Sequence, residues 1–183
     1  TYKGEHSNGK PEGKGSWNHS DGRITLGDWV DGICISGKFQ LLEGERYEGN
    51  CNDQGKWHGR GKYIYKSGNT FEGEFKNGKI FNGNFQFANG VERYEGEINE
   101  NVKWHGAGKL WYTTGDTFEG EFKNGQRFKG KYQFADGVRC YEGECNEKGQ
   151  WHGQGKFTHA NGNIQEGLWS EGTFQGNQQK VKS

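Results

Sequence analysis

Three histidines recur at equal spacing and are the side chains best suited to hold a metal ion. His58, His105 and His152 lie 47 positions apart, and imidazole nitrogen is a common zinc ligand. Zinc requires such ligands about 2.1 Å from one ion. If each interval contains four strands at about 4.8 Å per strand, the imidazoles lie roughly 19 Å apart. The spacing therefore predicts a structural or surface role for these histidines and no metal site.

Paired carboxylates are the second candidate chemistry, because two carboxyl groups can act as general acid and general base. The pairs recur in almost every stretch of about 23 residues and stand close to lysines. That recurrence is typical of cross-strand charge pairing on a solvated face. We therefore predict no catalytic residues and a chain that is not an enzyme. The glutamates concerned are Glu48, Glu72, Glu74, Glu95, Glu97, Glu119, Glu121, Glu142 and Glu144.

Glycine-rich stretches could cradle a phosphate if they preceded a helix. The stretches 9–14 and 55–62 lack a Ser or Thr after Gly-Lys, and no helical pattern follows them. We predict no nucleotide and no other cofactor. The formal net charge of zero also argues against nucleic acid as a partner.

The four cysteines could form disulfides, but their spacing does not favour it. Cys51 and Cys145 lie 94 positions apart, which corresponds to roughly 38 Å across eight strands. Cys140 and Cys145 lie too far apart along one predicted strand, and Cys34 and Cys140 have no obvious partner. Free thiols favour a reducing compartment, which predicts a cytoplasmic location.

An internal repeat must position all of these residues. One glycine series recurs at intervals of 22 to 24 residues, which indicates eight repeats. Alternate repeats match best, since Trp57, Trp104 and Trp151 lie 47 apart. We predict a repeat array over residues 1–177 with a 47-residue period, followed by a polar tail at 178–183. The glycine series is Gly4, Gly27, Gly49, Gly73, Gly96, Gly120, Gly143 and Gly167.

Each repeat is predicted to be a β-hairpin. Apolar-alternating runs flank Asn77-Gly78 and Asn124-Gly125, and Asn-Gly is a strong hairpin signal. Strand alternation places aromatic residues and glycines on one face and charged residues on the other. Only 28% of the residues are hydrophobic, so the pattern favours a single sheet layer covered by its own aromatic rings.

These motifs resemble the MORN (membrane occupation and recognition nexus) repeat. The match is carried by Phe71-Glu72-Gly73-Glu74-Phe75-Lys76-Asn77-Gly78, by Tyr94-Glu95-Gly96-Glu97 and by His105-Gly106-Ala107-Gly108. The resemblance implies an all-β, elongated, twisted single-layer antiparallel sheet of about eight tandem β-hairpins. It also implies a non-catalytic, structural scaffold or protein-binding module within a larger cytoskeletal, ciliary or membrane-associated assembly.

The aromatic ladder on one face is the predicted partner-binding surface. A ladder of this kind supplies either the core of the sheet or a groove for a partner's helix or extended segment, and both roles are compatible. The residues are Tyr47, Trp57, Phe71, Phe81, Tyr94, Trp104, Phe118, Phe128, Tyr141 and Trp151.

A membrane tether is the main alternative. A basic row near the hairpin tips could contact anionic phospholipid, at about 1 kcal/mol per side chain near a charged bilayer. A carbohydrate- or choline-binding repeat is a further alternative from another class. No run of about 18 apolar residues exists, so no transmembrane segment is predicted. The basic row is Lys76, Lys79, Lys123, Arg127 and Lys129.

Overall fold

The computed structural model of the protein describes residues 1–90, 92–99 and 101–177. The predicted tail at 178–183 lies outside these residues. The chain divides into two compact units, residues 1–90 and 91–183, and the described part of each contains eight strands. The prediction of eight tandem antiparallel hairpins in an all-β chain is confirmed.

In the first unit, consecutive strands pair antiparallel in chain order, which gives one open sheet layer. A 3-10 turn at Leu42–Gly44 links the fourth strand to the fifth. The strands are β1 (Tyr2–Ser7), β2 (Lys10–Asn18), β3 (Ile24–Val30), β4 (Ile33–Gln40), β5 (Arg46–Cys51), β6 (Trp57–Ile64), β7 (Thr70–Lys76) and β8 (Lys79–Gln86).

The second unit repeats this arrangement with the same chain-order pairing. Its strands are β9 (Arg93–Ile98), β10 (Trp104–Trp111), β11 (Thr117–Lys123), β12 (Gln126–Gln133), β13 (Cys140–Cys145), β14 (Trp151–Thr158), β15 (Ile164–Ser170) and β16 (Thr173–Gly176).

Two hairpin turns show why the Asn-Gly signal works. At Asn77-Gly78 the φ angles are 52° and 85°, and at Asn124-Gly125 they are 52° and 90°. A two-residue turn with both central φ angles positive matches the twist of the flanking strands, and Asn and Gly tolerate that conformation best.

A row of glycines crosses each unit beneath the aromatic rings. Directly paired glycines such as Gly143 and Gly155 leave a flat strip of backbone on the sheet. A Cβ atom at Gly155 would lie 2.2 Å from the Tyr141 hydroxyl oxygen. The ring of Tyr141 therefore occupies the volume that any larger residue at this position would need.

These tilted rings form the core of the sheet, and no second layer from the described residues covers them. Five of them have relative exposures of 0–1%. Each tyrosine among them donates its hydroxyl hydrogen to the backbone carbonyl three residues on, at 2.9–3.0 Å, so the buried oxygen is satisfied. The five are Tyr47, Phe71, Tyr94, Phe118 and Tyr141.

We call the surface carrying these rings the aromatic face and the opposite surface the charged face. On the charged face, lysines and glutamates pair across neighbouring strands, as expected from the alternation. The Nζ–Oε distances are 3.3 Å for Lys38–Glu48, 3.8 Å for Lys62–Glu72 and 2.8 Å for Lys109–Glu119. These exposed pairs each contribute little to stability.

Each hairpin contains a register shift, and in the β7–β8 and β11–β12 hairpins it is a β-bulge of one extra residue. In β8, Ile80 pairs with Phe75 and Asn82 pairs with Glu74, so Phe81 is the extra residue. In β12, Arg127 pairs with Phe122 and Lys129 pairs with Glu121, which leaves Phe128 extra. The bulge turns the extra side chain to the charged face and the preceding one to the aromatic face.

Candidate functional site

The aromatic face of the first unit contains an open cleft beside Trp57. The indole stacks on the buried ring of Tyr47 at 4.4 Å between ring centroids and remains half-buried. The cleft has a volume of about 410 Å³. Its lining, which defines the Trp57 cleft, is His19, Arg23, Ile24, Thr25, Phe39, Gln40, Leu41, Gly55, Lys56, Trp57 and Gly78.

The second unit has an equivalent cleft beside Trp151, 94 residues later in the chain. Trp151 stacks on Tyr141 at 4.5 Å with an interplanar angle of 8°. The cleft has a volume of about 420 Å³. Its lining, which defines the Trp151 cleft, is Arg127, Tyr132, Phe134, Lys148, Gly149, Gln150, Trp151, Glu171 and Gly172.

Charge at the two clefts is mostly positive. Arg23 and Lys56 are the charged side chains that line the Trp57 cleft. In the Trp151 cleft, Arg127 and Lys148 stand against one carboxylate, Glu171. An aromatic floor with a basic rim can accept an apolar side chain next to acidic residues.

Arg127 is held in place by the structure around it. Its Nη2 donates to the carbonyl oxygen of Gly149 at 2.6 Å, and its guanidinium lies 5.1 Å from the ring centroid of Tyr132. The Tyr132 hydroxyl donates to Asp116 Oδ2 at 2.5 Å. Burial, followed by the bond to Asp116, raises the pKa of Tyr132, so this phenol stays neutral.

The structure corrects half of the predicted aromatic surface. Five rings that were predicted to contact a partner are core residues with 0–1% exposure, and nothing can touch them while the sheet is intact. They are Tyr47, Phe71, Tyr94, Phe118 and Tyr141. Trp57, Trp104 and Trp151 are half-buried on the aromatic face, and their role in binding stays a prediction.

The bulges correct three further placements. Phe81 and Phe128 lie on the charged face, where the Nζ atoms of Lys76 and Lys123 stand 5.7 and 5.6 Å from their ring centroids. They are 55% and 44% exposed. Arg127 lies on the aromatic face and is therefore not part of the basic row at the tips, whereas Lys76, Lys79, Lys123 and Lys129 are exposed as predicted.

Sequence reasoning missed the clefts because loops complete them. Lys148, Gly149 and Gln150 come from the loop between β13 and β14, and Glu171-Gly172 form the turn between β15 and β16. The usable signal was the recurrence of a loop residue followed by Trp at 56–57 and 150–151. Among the described residues, no group of three or more His, Cys, Asp or Glu side chains is arranged to hold a metal ion.

Comparison with known proteins gives a family match. The model of the MORN repeat matches residues 2–22, 53–70, 71–80, 94–117, 118–139 and 147–164, more than half of the chain. No match was found among curated proteins.

Among solved structures, the chain is similar to the SAS-4 (dCPAP) TCP domain of Drosophila melanogaster, in complex with a proline-rich motif of Ana2 (dSTIL). The identity is 12% and the TM-score 0.46, over 85% of this chain and 90% of that chain. In the part of the chain that the structure describes, no helix is long and apolar enough to cross a membrane.

Proposed function

Because the chain belongs to the MORN repeat family, we propose that it is a non-catalytic scaffold that docks a partner protein in the Trp57 and Trp151 clefts. The observation that carries this proposal is the recurrence of a cleft in both units, each lined by a Trp that stacks on a buried Tyr. We place the scaffold in a cytoplasmic assembly that is cytoskeletal, ciliary or membrane-associated, in keeping with free thiols.

The chemistry of the clefts specifies the partner further. Half-buried indole and phenyl rings gain most by covering an apolar or aromatic side chain, because such contacts dominate the energy of protein interfaces. Lys56 at one rim, and Arg127 and Lys148 at the other, favour Asp or Glu beside that side chain, whereas Arg23 is already paired with Asp21 at 2.8 Å. The partner segment is therefore apolar or aromatic with acidic flanks.

The test reverses charge at both rims without touching the core. Lys56 and Lys148 are exposed, so the Lys56→Glu, Lys148→Glu double variant keeps the fold. Partners are captured on the wild-type protein from its own cells, identified and purified, and their affinity is measured for both proteins. We expect the double variant to bind at least about tenfold more weakly, with the difference shrinking at high salt.

A matched variant on the opposite face controls for net charge. Lys76→Glu with Lys129→Glu changes the charge by the same amount, and both lysines are exposed on the charged face. This control is expected to bind the partner within about twofold of wild type. Equal losses in the two double variants would contradict docking in the clefts.

A second candidate function is supported by the two exposed phenylalanines. Phe81 and Phe128 each stand beside a lysine on the charged face, and an apolar ring flanked by cations is suited to the interface of an anionic membrane. Under this proposal, the protein sediments with vesicles containing phosphatidylserine and not with vesicles of phosphatidylcholine alone.

The Phe81→Ser, Phe128→Ser double variant tests the membrane proposal. Both side chains are exposed, so the fold should be retained while sedimentation falls at least about threefold. The Lys56→Glu, Lys148→Glu variant serves as the control and should sediment like wild type. No sedimentation of wild type at low salt would eliminate this candidate.

A further inference from the structure

Two cysteines that look unrelated in sequence are brought together by the bulge in β4. Trp29 pairs with Cys34 and Asp28 pairs with Ser36, so Ile35 has no partner on β3. Cys34 therefore faces the same side as Trp29, which is buried among the aromatic rings. Its Sγ–H donates to the carbonyl oxygen of Ser36 at 3.3 Å.

Cys51 approaches the same point from the neighbouring strand. The last pair between β4 and β5 is Ser36 with Asn50, and the next residue on β5 is Cys51. Because Ile35 is the extra residue of the bulge, the next residue on the aromatic face of β4 is Cys34. Cys51 pairs on its other side with Trp57, which confirms that it too faces the aromatic side.

Two further observations support this placement. A charge on Cys34 lies near enough to raise the pKa of Cys51, in addition to the larger effect of burial. In the second unit, the equivalent positions are Arg127 and Cys145: burial raises the pKa of Cys145, and the charge on Arg127 lies near enough to offset part of that rise.

The backbone spacing suits a disulfide once the Cys34 side chain turns toward β5. Cys34 and Cys51 lie one step beyond the Ser36–Asn50 pair on the same face, and facing residues on neighbouring antiparallel strands have Cα atoms about 4.5–5.5 Å apart, within the range of about 4.4–6.8 Å that a disulfide needs. The Cys34 Sγ now lies against Gly27 on β3, so it must rotate about its Cα–Cβ bond to reach Cys51. We propose that Cys34 and Cys51 form a dithiol site that a low-molecular-weight disulfide oxidises to an intrachain disulfide, joining β4 to β5.

The oxidation is a two-step thiol–disulfide exchange. The half-buried Cys51 is the accessible thiol, and its thiolate attacks oxidised glutathione to give a mixed disulfide and one glutathione thiolate. The Cys34 thiolate then attacks the Cys51 sulfur and releases the second glutathione. Two protein thiols are oxidised, one glutathione disulfide is reduced, and the two protons pass to the released thiolates.

The environment makes this exchange slow. Burial raises the pKa of Cys34 to about 11 and that of Cys51 to about 12, so both thiols are almost fully protonated at neutral pH. The thiolate is the reacting species. Oxidation should therefore take hours, and it requires the Cys34 thiol to give up its hydrogen bond to Ser36.

The experiment uses the other two cysteines as an internal control. The folded protein is incubated with oxidised glutathione, free thiols are alkylated, and tryptic peptides are analysed by mass spectrometry. Trypsin separates the two sites because Lys38 and Arg46 lie between them. We expect a cross-linked peptide joining Cys34 to Cys51, which is lost on reduction.

Cys140 and Cys145 stand at the two ends of β13, roughly 16 Å apart at 3.3 Å per residue, so no link between them is expected. The cross-linked protein should melt roughly 5–10 °C higher than the reduced protein. The Cys51→Ser variant should show neither effect, whereas Cys145→Ser should behave like wild type. Complete alkylation of Cys34 and Cys51, or separate glutathione adducts on them, would overturn the proposal.

Discussion

Replacing Gly155 with alanine is expected to lower the free energy of unfolding by about 3 kcal/mol. A Cβ atom there would lie 2.2 Å from the Tyr141 hydroxyl oxygen and 2.6 Å from two of its ring carbons. The Tyr141 ring is fully buried, and it stacks on Trp151 at 4.5 Å, so it cannot move aside without disturbing its neighbours. Overpacking of this kind typically costs 1–3 kcal/mol or somewhat more. Urea denaturation of both proteins measures the difference.

Gly137→Ala is the matched control, because it separates steric conflict from backbone strain. Gly137 has a φ of +72°, and nothing lies within 4 Å of a Cβ placed there. Alanine at this position carries only the cost of the left-handed conformation, about 1 kcal/mol. The φ angle of Gly155 is not in the left-handed region, so the larger loss of stability expected for Gly155→Ala comes from the Tyr141 side chain above it.

A second substitution tests that cause directly. Combining Gly155→Ala with Tyr141→Phe removes the hydroxyl that is nearest to the new methyl group. We expect the pair to be less destabilised than the sum of the two single variants by at least about 0.5 kcal/mol. Strict additivity would show that the hydroxyl of Tyr141 is not what excludes a side chain at Gly155.

The same glycine row explains how far the sequence could predict the fold. Strand alternation was enough to assign Tyr47, Phe71 and Tyr94 to one face and their flanking glutamates to the other. Alternation predicts which face of the sheet a side chain occupies, but not how deeply that side chain is buried. Tyr47 and Tyr94 are buried because each lies over paired glycines while Trp57 or Trp104 stacks on it. Phe71 lies over Gly73 and Gly83 and meets Phe75 edge-on. This packing joins residues of neighbouring strands, which the alternation pattern of a single strand does not describe.

The bulges were missed although the sequence contained a signal for them. If the two strands that flank the turn at Asn77-Gly78 pair without interruption, Gly73 lies opposite Asn82. The glycine on that strand is Gly83, one residue further along the chain. If the glycines must form a continuous row, one extra residue has to be accommodated in between, and the structure places it at Phe81. The same count would have moved Phe128 to the charged face and Arg127 to the aromatic face.

The clefts were harder to predict, for a different reason. Their floors come from strands, and the sequence pattern located Trp57 and Trp151. Their rims come from loops such as 148–150, whose conformation depends on contacts with the neighbouring hairpin. One of these contacts, from Arg127 to the carbonyl oxygen of Gly149, exists because the bulge redirects the arginine. Because the register shift in β12 was not predicted, the position of Arg127 in the Trp151 cleft was not predicted either.

Tyr94→Ala is expected to destabilise the second unit by about 3–5 kcal/mol, the usual range for truncating a large buried side chain. The ring is 0% exposed. It stacks on Trp104 at 4.8 Å and meets Phe122 edge-on at 5.1 Å. In a sheet without a second layer, no side chain from above can collapse into the space that is left. The loss is measured by urea denaturation.

Tyr94→Phe provides the matched comparison, because the repeat itself shows that phenylalanine fits. Phe71 and Phe118 occupy the same place in the alternate hairpins and are equally buried. The variant loses only the hydrogen bond that the hydroxyl donates to the carbonyl oxygen of Glu97 at 2.9 Å, which is worth about 1 kcal/mol. Similar losses for both variants would mean that the hydrogen bond, rather than the ring, holds this hairpin.

The loss of stability caused by Tyr94→Ala should be greatest in the strands next to the substituted residue. In a repeat array, each hairpin is stabilised mainly by its nearest neighbours, so Tyr94→Ala should reduce amide hydrogen-exchange protection most in β9, β10 and β11. Protection in β14 and β15 should change least, since the rings that cover them centre on Tyr141 and Trp169. A uniform loss across all of these strands would show that the second unit opens as one cooperative body.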